Sequence, residues 1–348
     1  MRFSLVRGFG VLLIAILMSV GSRAEVGAGA PLPPPSLPPR VTPGIPFQVR
    51  THLYVADGGN NRIVLINDMT GAGWTTLGTR GSGINQFSLP HAAFANPGLA
   101  GPVYVADRFN NRIVRINDMS GTGWTAFGSF GSGRNQFSAP RSISVDRAGR
   151  VYVADQLNHR IVRINDMTGA GWTTLGSLGS QPNQFDCPTD ISVDSVGRIY
   201  VADWGNGRVV RINDMTGAGW TEFGGFARAP DPRGLACGKM RIFVDPTGRI
   251  FVVDHRNNRL VRVNDMTGAG WTTFGSAGTG TGQFQLPDGI FVDGAGRIYV
   301  ADSGNHRIVR IDDMSGTGWT TFASLGTGVN QFNAPQGLSM GTSVYYVR

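Results

Sequence analysis

One stretch, Tyr152-Val-Ala-Asp155-Gln-Leu-Asn158-His-Arg160-Ile-Val-Arg163-Ile-Asn-Asp166-Met-Thr-Gly-Ala-Gly-Trp172, recurs almost verbatim along the chain and limits what the chain can become. Its first aspartate returns as Asp57, Asp107, Asp155, Asp203, Asp254 and Asp302, at spacings of 50, 48, 48, 51 and 48 residues. The arginine five positions on returns as Arg62, Arg112, Arg160, Arg208, Arg259 and Arg307, and the tryptophan as Trp74, Trp124, Trp172, Trp220, Trp271 and Trp319. A period of this length requires one repeat architecture, in which each unit buries its apolar faces against its neighbours.

Each unit reads as four short strands. In the third copy these are Ser142 to Asp146, Arg150 to Ala154, Arg160 to Asn165 and Trp172 to Leu175, separated by turn-forming runs and filled with valine, isoleucine, tyrosine and tryptophan. No helix-period pattern of useful length occurs, and the 51 glycines fit many tight turns. Four antiparallel strands per unit, repeated six times, predict an all-β fold: a six-bladed β-propeller over residues 47–348.

Ahead of the repeats, residues 1–24 have the three parts of a secretory signal. These are Arg2 and Arg7, the apolar run Val11 to Met18, and Ser22-Arg-Ala24 with small residues at −3 and −1, predicting cleavage after Ala24. An uncleaved anchor helix is the alternative, although the run is short for a membrane span. No cysteine lies near the cleavage point, which argues against a bacterial lipid anchor. Residues 25–46 form a proline-rich linker, carrying Pro31, Pro33, Pro34, Pro35, Pro38, Pro39, Pro43 and Pro46, and are expected to be extended. A secreted or periplasmic protein follows.

The formal charge of +8 falls to +5 without residues 1–24, and it is spread over the repeats rather than gathered into a basic run, so nucleic acid is not an expected partner. Lys239 is the only lysine. The recurrent arginines have a structural reading first, as planar forks that pair with carboxylates and carbonyls.

The run from Pro140 through Ile143-Ser-Val145-Asp146, Gly149, Val151-Tyr-Val-Ala-Asp155 and Asn158-His-Arg160-Ile161 resembles the NHL repeat, and the Asp-x-x-Asn-x-Arg spacing holds in all six copies. The resemblance implies that the first strand of each blade lines a central channel. It also places the Asp-x-x-Asn-x-Arg turn between the second and third strands, on the face of the inter-blade connections. Such propellers serve as scaffolds, RNA binders, lyases and hydrolases, so fold alone does not assign function.

Two departures interrupt the pattern. Between Phe223 and Asp245 an irregular loop, Gly224 to Lys239, replaces the usual connection. At the C-terminus, Pro335 to Arg348 reads as a first strand and part of a second, while Phe47 to Val49 already offers blade 1 a first strand, so the chain carries more strand than six blades need, and either terminus could complete blade 1 while the other pairs on an edge.

A group present in every blade does the same local job in each, which makes the recurrent Asp, Asn and Arg turn residues structural and the six tryptophans packing residues between blades. Candidate function therefore lies where the copies differ. The two residues after the aspartate are Gly58-Gly59, Arg108-Phe109, Gln156-Leu157, Trp204-Gly205, His255-Arg256 and Ser303-Gly304. Phe109, Leu157 and Trp204 are expected to display apolar surface at turn tips, on a contact face that also carries His255 and Arg256. Drift among tolerant loop positions is the competing explanation. A second variable set follows the proline that enters the innermost strand: His91, Arg141, Thr189 with Asp190, Asp288 and Gln336, expected around a channel mouth.

His159 and His306 occupy the position held elsewhere by asparagine or glycine and are read as structural. His91 with Asp190 and Asp288 is a thin candidate metal set. The amidating and virginiamycin-type lyases, which resemble this fold, rely on histidine-rich channels, and no comparable set occurs. Gly-x-Ser-x-Gly, Cys-x-x-Cys and phosphate-loop motifs are also missing from the sequence. The chain therefore reads as a monomeric interaction module for a protein, small-molecule or glycan ligand, with no cofactor implied and no catalysis of its own. The rival reading is a metal-dependent lyase or lactone hydrolase at the channel mouth. RNA binding, as in the NHL domains of tripartite-motif proteins, conflicts with the export signal. Cys187 and Cys237 enter adjacent blades at nearly the same height and are expected to pair as a disulfide.

Overall fold

Six four-stranded antiparallel sheets form the blades of a β-propeller. The computed structural model describes residues 47–95, 101–226 and 237–346, with side chains from Arg50 to Thr342. The signal segment, the proline-rich linker and most of the irregular loop before blade 5 fall outside these residues.

Blade 3 represents the plan, running outward from the channel through Pro140–Val145, Val151–Asp155, Arg160–Ile164 and Thr173–Leu175. These strands lie within one or two residues of the expected ones. Their register sets Ile143 against Val153 and Val153 against Val162. Because side chains alternate along a strand, each blade feeds two interfaces. Val151, Val153, Val162 and Ile164 pack toward blade 2, while Ala154, Ile161 and Tyr152 pack toward blade 4. Both faces of the second strand are buried, which explains why Val151-Tyr-Val-Ala carries no charged side chain. Each fully buried valine or isoleucine contributes about 1.5–3 kcal/mol.

Every recurrent tryptophan packs on phenylalanine rings of the preceding blade or its connection. Trp172 stacks on Phe127 and Phe137 with centroids 6.1 and 5.4 Å away. Trp74 does the same with Phe322 and Phe332 across the ring closure.

The termini correct one expectation. Phe47 to Val49 is no first strand of blade 1; it begins a single strand, Phe47–Asp57, in the second position. The innermost strand of that blade is Pro335–Tyr346, paired along its length from Phe47↔Tyr346 to Asp57↔Pro335. The C-terminal segment is therefore the missing strand rather than a surplus one, and it does not turn back into a second strand. In blade 3 the turn after the innermost strand is built by Asp146, whose Oδ1 accepts the N–H groups of Ala148 and Arg150. The corresponding position at the C-terminus is Gly341, which has no such acceptor, so the strand runs on.

Cys187 and Cys237 are joined as a disulfide with Cα atoms 5.7 Å apart, tying the entrances of blades 4 and 5. The enclosed loop of 50 residues corresponds to about 4 kcal/mol in the chain-entropy account.

Deleting residues 335–348 removes the innermost strand of blade 1 and bares the edge of Phe47–Asp57. The truncated chain is expected to lose the single cooperative melting transition in circular dichroism, whereas an unchanged melting curve would place ring closure elsewhere.

Candidate functional site

The Asp-x-x-Asn-x-Arg turn folds as one 3₁₀ turn, Gln156–Asn158 in blade 3, closed by a left-handed residue at His159. Oδ2 of the buried Asp155 accepts from Asn158 Nδ2 and Arg160 Nε, both at 2.8 Å, and Oδ1 accepts the Ser138 N–H at 2.7 Å. Arg160 then reaches into the preceding connection, donating to the carbonyls of Ser132 at 2.6 Å and Gln136 at 2.9 Å. Its guanidinium lies 5.7 Å from the Trp172 ring centroid. The same clamp forms in blades 1, 2, 4 and 6. Burial lifts the carboxyls of Asp57, Asp107, Asp155 and Asp302, and raises Asp203 to about 6, so desolvation outweighs the attraction of the paired arginines. Such pairs set geometry more than they add stability.

Histidine serves the same scaffold. The residue before each entrance proline has a left-handed backbone, at Leu89, Ala139, Cys187, Leu286 and Ala334. Its N–H is accepted by the side chain that follows the tip asparagine: Asn61, Asn111 and Asn258 through Oδ1, His159 and His306 through Nδ1. His159, Asp186 and Cys187 are close enough together to suggest a metal site. Cys187, however, is in the disulfide, and His159 Nδ1 already accepts the Cys187 N–H.

The second variable set does converge, at one end of the channel, and it is sealed rather than set around an open mouth. His91, Arg141, Asp190, Asp288 and Gln336 are all buried. They gather on two residues the sequence reading had not singled out as site residues, Lys239 and Arg241 of blade 5. Arg241 crosses the channel to blade 2, donating through Nη2 to His91 Nδ1 at 2.5 Å and to the His91 carbonyl at 2.7 Å. Its Nε meets Asp288 Oδ1 at 2.9 Å and its Nη1 meets Asp190 Oδ1 at 3.3 Å. Lys239 Nζ donates to Asp288 Oδ2 at 2.6 Å and Gln336 Oε1 at 2.7 Å. Blades 6 and 1 make room by placing Gly289 and Gly337 at this level. A Cβ on Gly289 would lie 2.3 Å from the Gln336 carbonyl oxygen.

This arrangement decides the candidate metal set. His91, Asp190 and Asp288 come together, with His91 Nε2 3.6 Å from Asp288 Oδ2, but a guanidinium sits where a cation would join them. Because Arg241 can only donate, His91 Nδ1 is the acceptor, and burial holds the ring neutral, well below the usual histidine range. Burial also pulls Lys239 down to about 8 despite the opposing charge of Asp288.

Over this network lie the first residues of the turn tips. Ser303 Oγ bonds the Pro335 carbonyl, and His255 Nδ1 donates to the Pro287 carbonyl at 2.7 Å. Burial and the nearby Lys239 lower His255 to about 4. Arg108 Nη2 donates to Gln156 Oε1 at 3.3 Å.

Trp204 corrects a further expectation: it is 8% exposed, packed with Cys187, Phe226, Cys237 and Met240 in one core cluster. The reason is Gly238, which stands where blades 2, 3, 4, 6 and 1 have the residue before the entrance proline. Any Cβ there would meet Trp204 Cζ2 at 2.3 Å, so the missing side chain opens the slot that takes the indole. The second tip residues do face outward. Phe109 is 58% and Leu157 45% exposed, and Arg256 is partly exposed. Two further apolar side chains join this face from the connections, Phe130 at 71% and Leu178 at 63%. Asn158 Nδ2 pins the Gly131 carbonyl at 2.9 Å, which sets Phe130 beside the Leu157 tip. Their signal was available in the variation Arg80, Phe130, Leu178, Ala277, Leu325 at one repeat position.

Below the network, a channel cavity of about 470 Å³ is lined by the innermost strands. Phe243 and Phe291 pack edge to face with centroids 5.0 Å apart on one side, and Ser144, Ser192 and Ser339 line the other. The cavity opens among exposed Arg147, Ser195 and Pro246, on the face opposite the turn tips.

The clamp residues and their flanking strands carry the match to a known family, since residues 185–212 and 284–311 fit the model of the NHL repeat. This chain carries NHL repeats. No curated protein matches its sequence. Among solved structures, the NHL propeller is similar to a chain in the nidogen/laminin complex, with 17% identity over 83% of this chain and 98% of that one, at a TM-score of 0.60. It is also similar to a protein of unknown function from Bacteroides caccae, at 15% identity, 84% and 98% coverage and a TM-score of 0.57. Virginiamycin B lyase from Staphylococcus aureus is similar at 16% identity, 87% and 100% coverage and a TM-score of 0.53. Identities this low establish the shared fold and nothing about activity.

Two outcomes test this layout of the NHL propeller. Trp204→Ala is expected to cost about 3–5 kcal/mol in urea unfolding, whereas Phe109→Ala stays within about 0.5 kcal/mol. Lys239 gives a pH signature: unfolded it keeps its proton to about 10.5, folded it releases it near 8, so stability rises with pH across that window. Relative to Lys239→Met, the wild type should gain at most about 1.4 kcal/mol per pH unit between those values, read from urea midpoints.

Proposed function

We propose that this NHL propeller is an exported interaction module that binds a protein partner on its turn-tip face and has no catalysis of its own. The observation that carries the reading is the run of exposed apolar side chains on neighbouring blades, Phe109, Phe130, Leu157 and Leu178. Solvated aromatic and aliphatic side chains on rigid tips lose little conformational entropy on docking and supply the buried area an interface core needs. Their backbone is held by the Asp, Asn and Arg clamps, so the surface is presented ready made.

Catalysis at the head of the channel receives no support from the geometry. The acid and base candidates His91, Asp190 and Asp288 are buried and saturated by Arg241 and Lys239. The nidogen/laminin structure among the similar folds is itself a protein complex, which is consistent with the binding reading. Export is supported by the signal-like residues 1–24 and by the disulfide, which persists in oxidising compartments.

A photo-crosslinking residue placed at 109 or 157, and at 196 on the opposite face as control, tests the reading in the native host. The exported chain should read from Glu25 on N-terminal sequencing and give a discrete protein adduct from positions 109 and 157. Adducts from position 196 alone, or from none of the three, would overturn the proposed face.

A further inference from the structure

The charges at the head of the channel do not balance. Among the described residues, Arg108, Arg141, Lys239 and Arg241 surround two carboxylates, Asp190 and Asp288, and His91 is neutral. Arg241 and Lys239 account for both carboxylates. Arg141 is left with one bond, from Nη1 to the Gly238 carbonyl at 2.8 Å, although its side chain is 2% exposed. Its Nε and Nη2 have no acceptor among the described residues, nor do Arg108 Nε and the Nε2 of fully buried Gln156.

These unpartnered groups share a character and a place. All are N–H donors, and no orphaned acceptor lies with them. They come from adjoining elements: the tip of blade 2 (Arg108), the entrance of blade 3 (Arg141) and the tip of blade 3 (Gln156), with Arg108 bonded to Gln156. A buried lysine or histidine relieves such a site by giving up its proton, as the lowered values of Lys239 and His91 illustrate. Arginine cannot do so at physiological pH, and burial only makes its charge costlier. A water molecule could accept from these donors, but being neutral it would leave the buried guanidinium charge uncompensated. Its complement is a species with lone pairs on every side and a negative charge.

We propose that the NHL propeller holds one small monovalent anion, halide- or carboxylate-sized, between Arg141, Arg108 and Gln156 beneath the tips of blades 2 and 3. The anion lowers the excess positive charge at the head of the channel and braces the base of the tips that carry Phe109 and Leu157. The assignment stands on the donor set and is independent of which partner docks above it.

The test is thermal unfolding of the purified mature chain at constant ionic strength, exchanging gluconate, too large for a closed site, for chloride or for formate. Wild-type melting temperature is expected to rise by several degrees and saturate, as for a ligand that binds only the folded state. A response to chloride identifies a free inorganic ion, and a response confined to formate identifies a carboxylate. Gln156→Glu places a carboxylate among the same donors and should raise the melting temperature in gluconate while abolishing the anion response. Arg141→Met should also abolish the response and melt no lower than wild type in gluconate, since it removes the uncompensated charge. A wild-type melting temperature indifferent to the anion, or a Gln156→Glu variant destabilised equally in every buffer, would overturn the proposal.

Discussion

A buried carboxylate that holds two pieces of chain at once is the interaction on which the propeller depends. Asp155 closes its own turn through Asn158 and Arg160 and, through Ser138, fixes the connection arriving from blade 2. Without that grip, a connection rich in glycine, serine and asparagine is anchored mainly by one buried ring, Phe137, and the blade-to-blade spacing that the tryptophan and phenylalanine rings fill is less firmly set. The raised carboxyl values show that the grip is costly in free energy, and its return is geometric. Repetition lets each blade reuse one solution, so the fold tolerates change at positions the clamp does not touch.

Those untouched positions divide cleanly. At the tips of blades 2, 3 and 5 the first residue after the aspartate turns inward, as Arg108, Gln156 and His255 do, and the second, Phe109, Leu157 or Arg256, faces outward. One dipeptide therefore contributes to two different environments, a desolvated polar centre and a solvated apolar face. A substitution at the first position acts on charge balance, and one at the second acts on surface recognition. The asymmetry of the centre comes from blade 5, where the entrance proline is lost and Lys239 and Arg241 enter in its place.

Blade number, strand bounds and the structural role of the recurrent Asp, Asn and Arg were legible in the sequence because repetition averages out local ambiguity: six near-identical windows cannot all mislead in the same direction. Convergence of His91, Arg141, Asp190 and Asp288 was legible for the same reason, since they stand one or two residues after the entrance proline of their blades. What failed to show was anything that depends on the one irregular segment. Trp204 reads as an exposed tip residue until Gly238, 34 positions later, is seen to leave it a slot. Arg241 reads as one more arginine until the glycines of two other blades let it cross the channel. The strand that completes blade 1 looks surplus because the absence of a turn carboxylate at Gly341 is a weaker signal than the presence of one at Asp146.

The pairing of Phe47–Asp57 with Pro335–Tyr346 also sets the order in which this molecule can be assembled. Contacts between residues nearly 290 positions apart cannot form while the chain is still emerging, so blades 2 to 5 are complete before blade 1 has its innermost strand. Throughout that interval the ring is an open crescent with a free sheet edge at its N-terminal end, the kind of edge that recruits foreign strands. The strand Pro335–Tyr346 acts as a latch, and the molecule is at greatest risk of mispairing in the moments before it arrives.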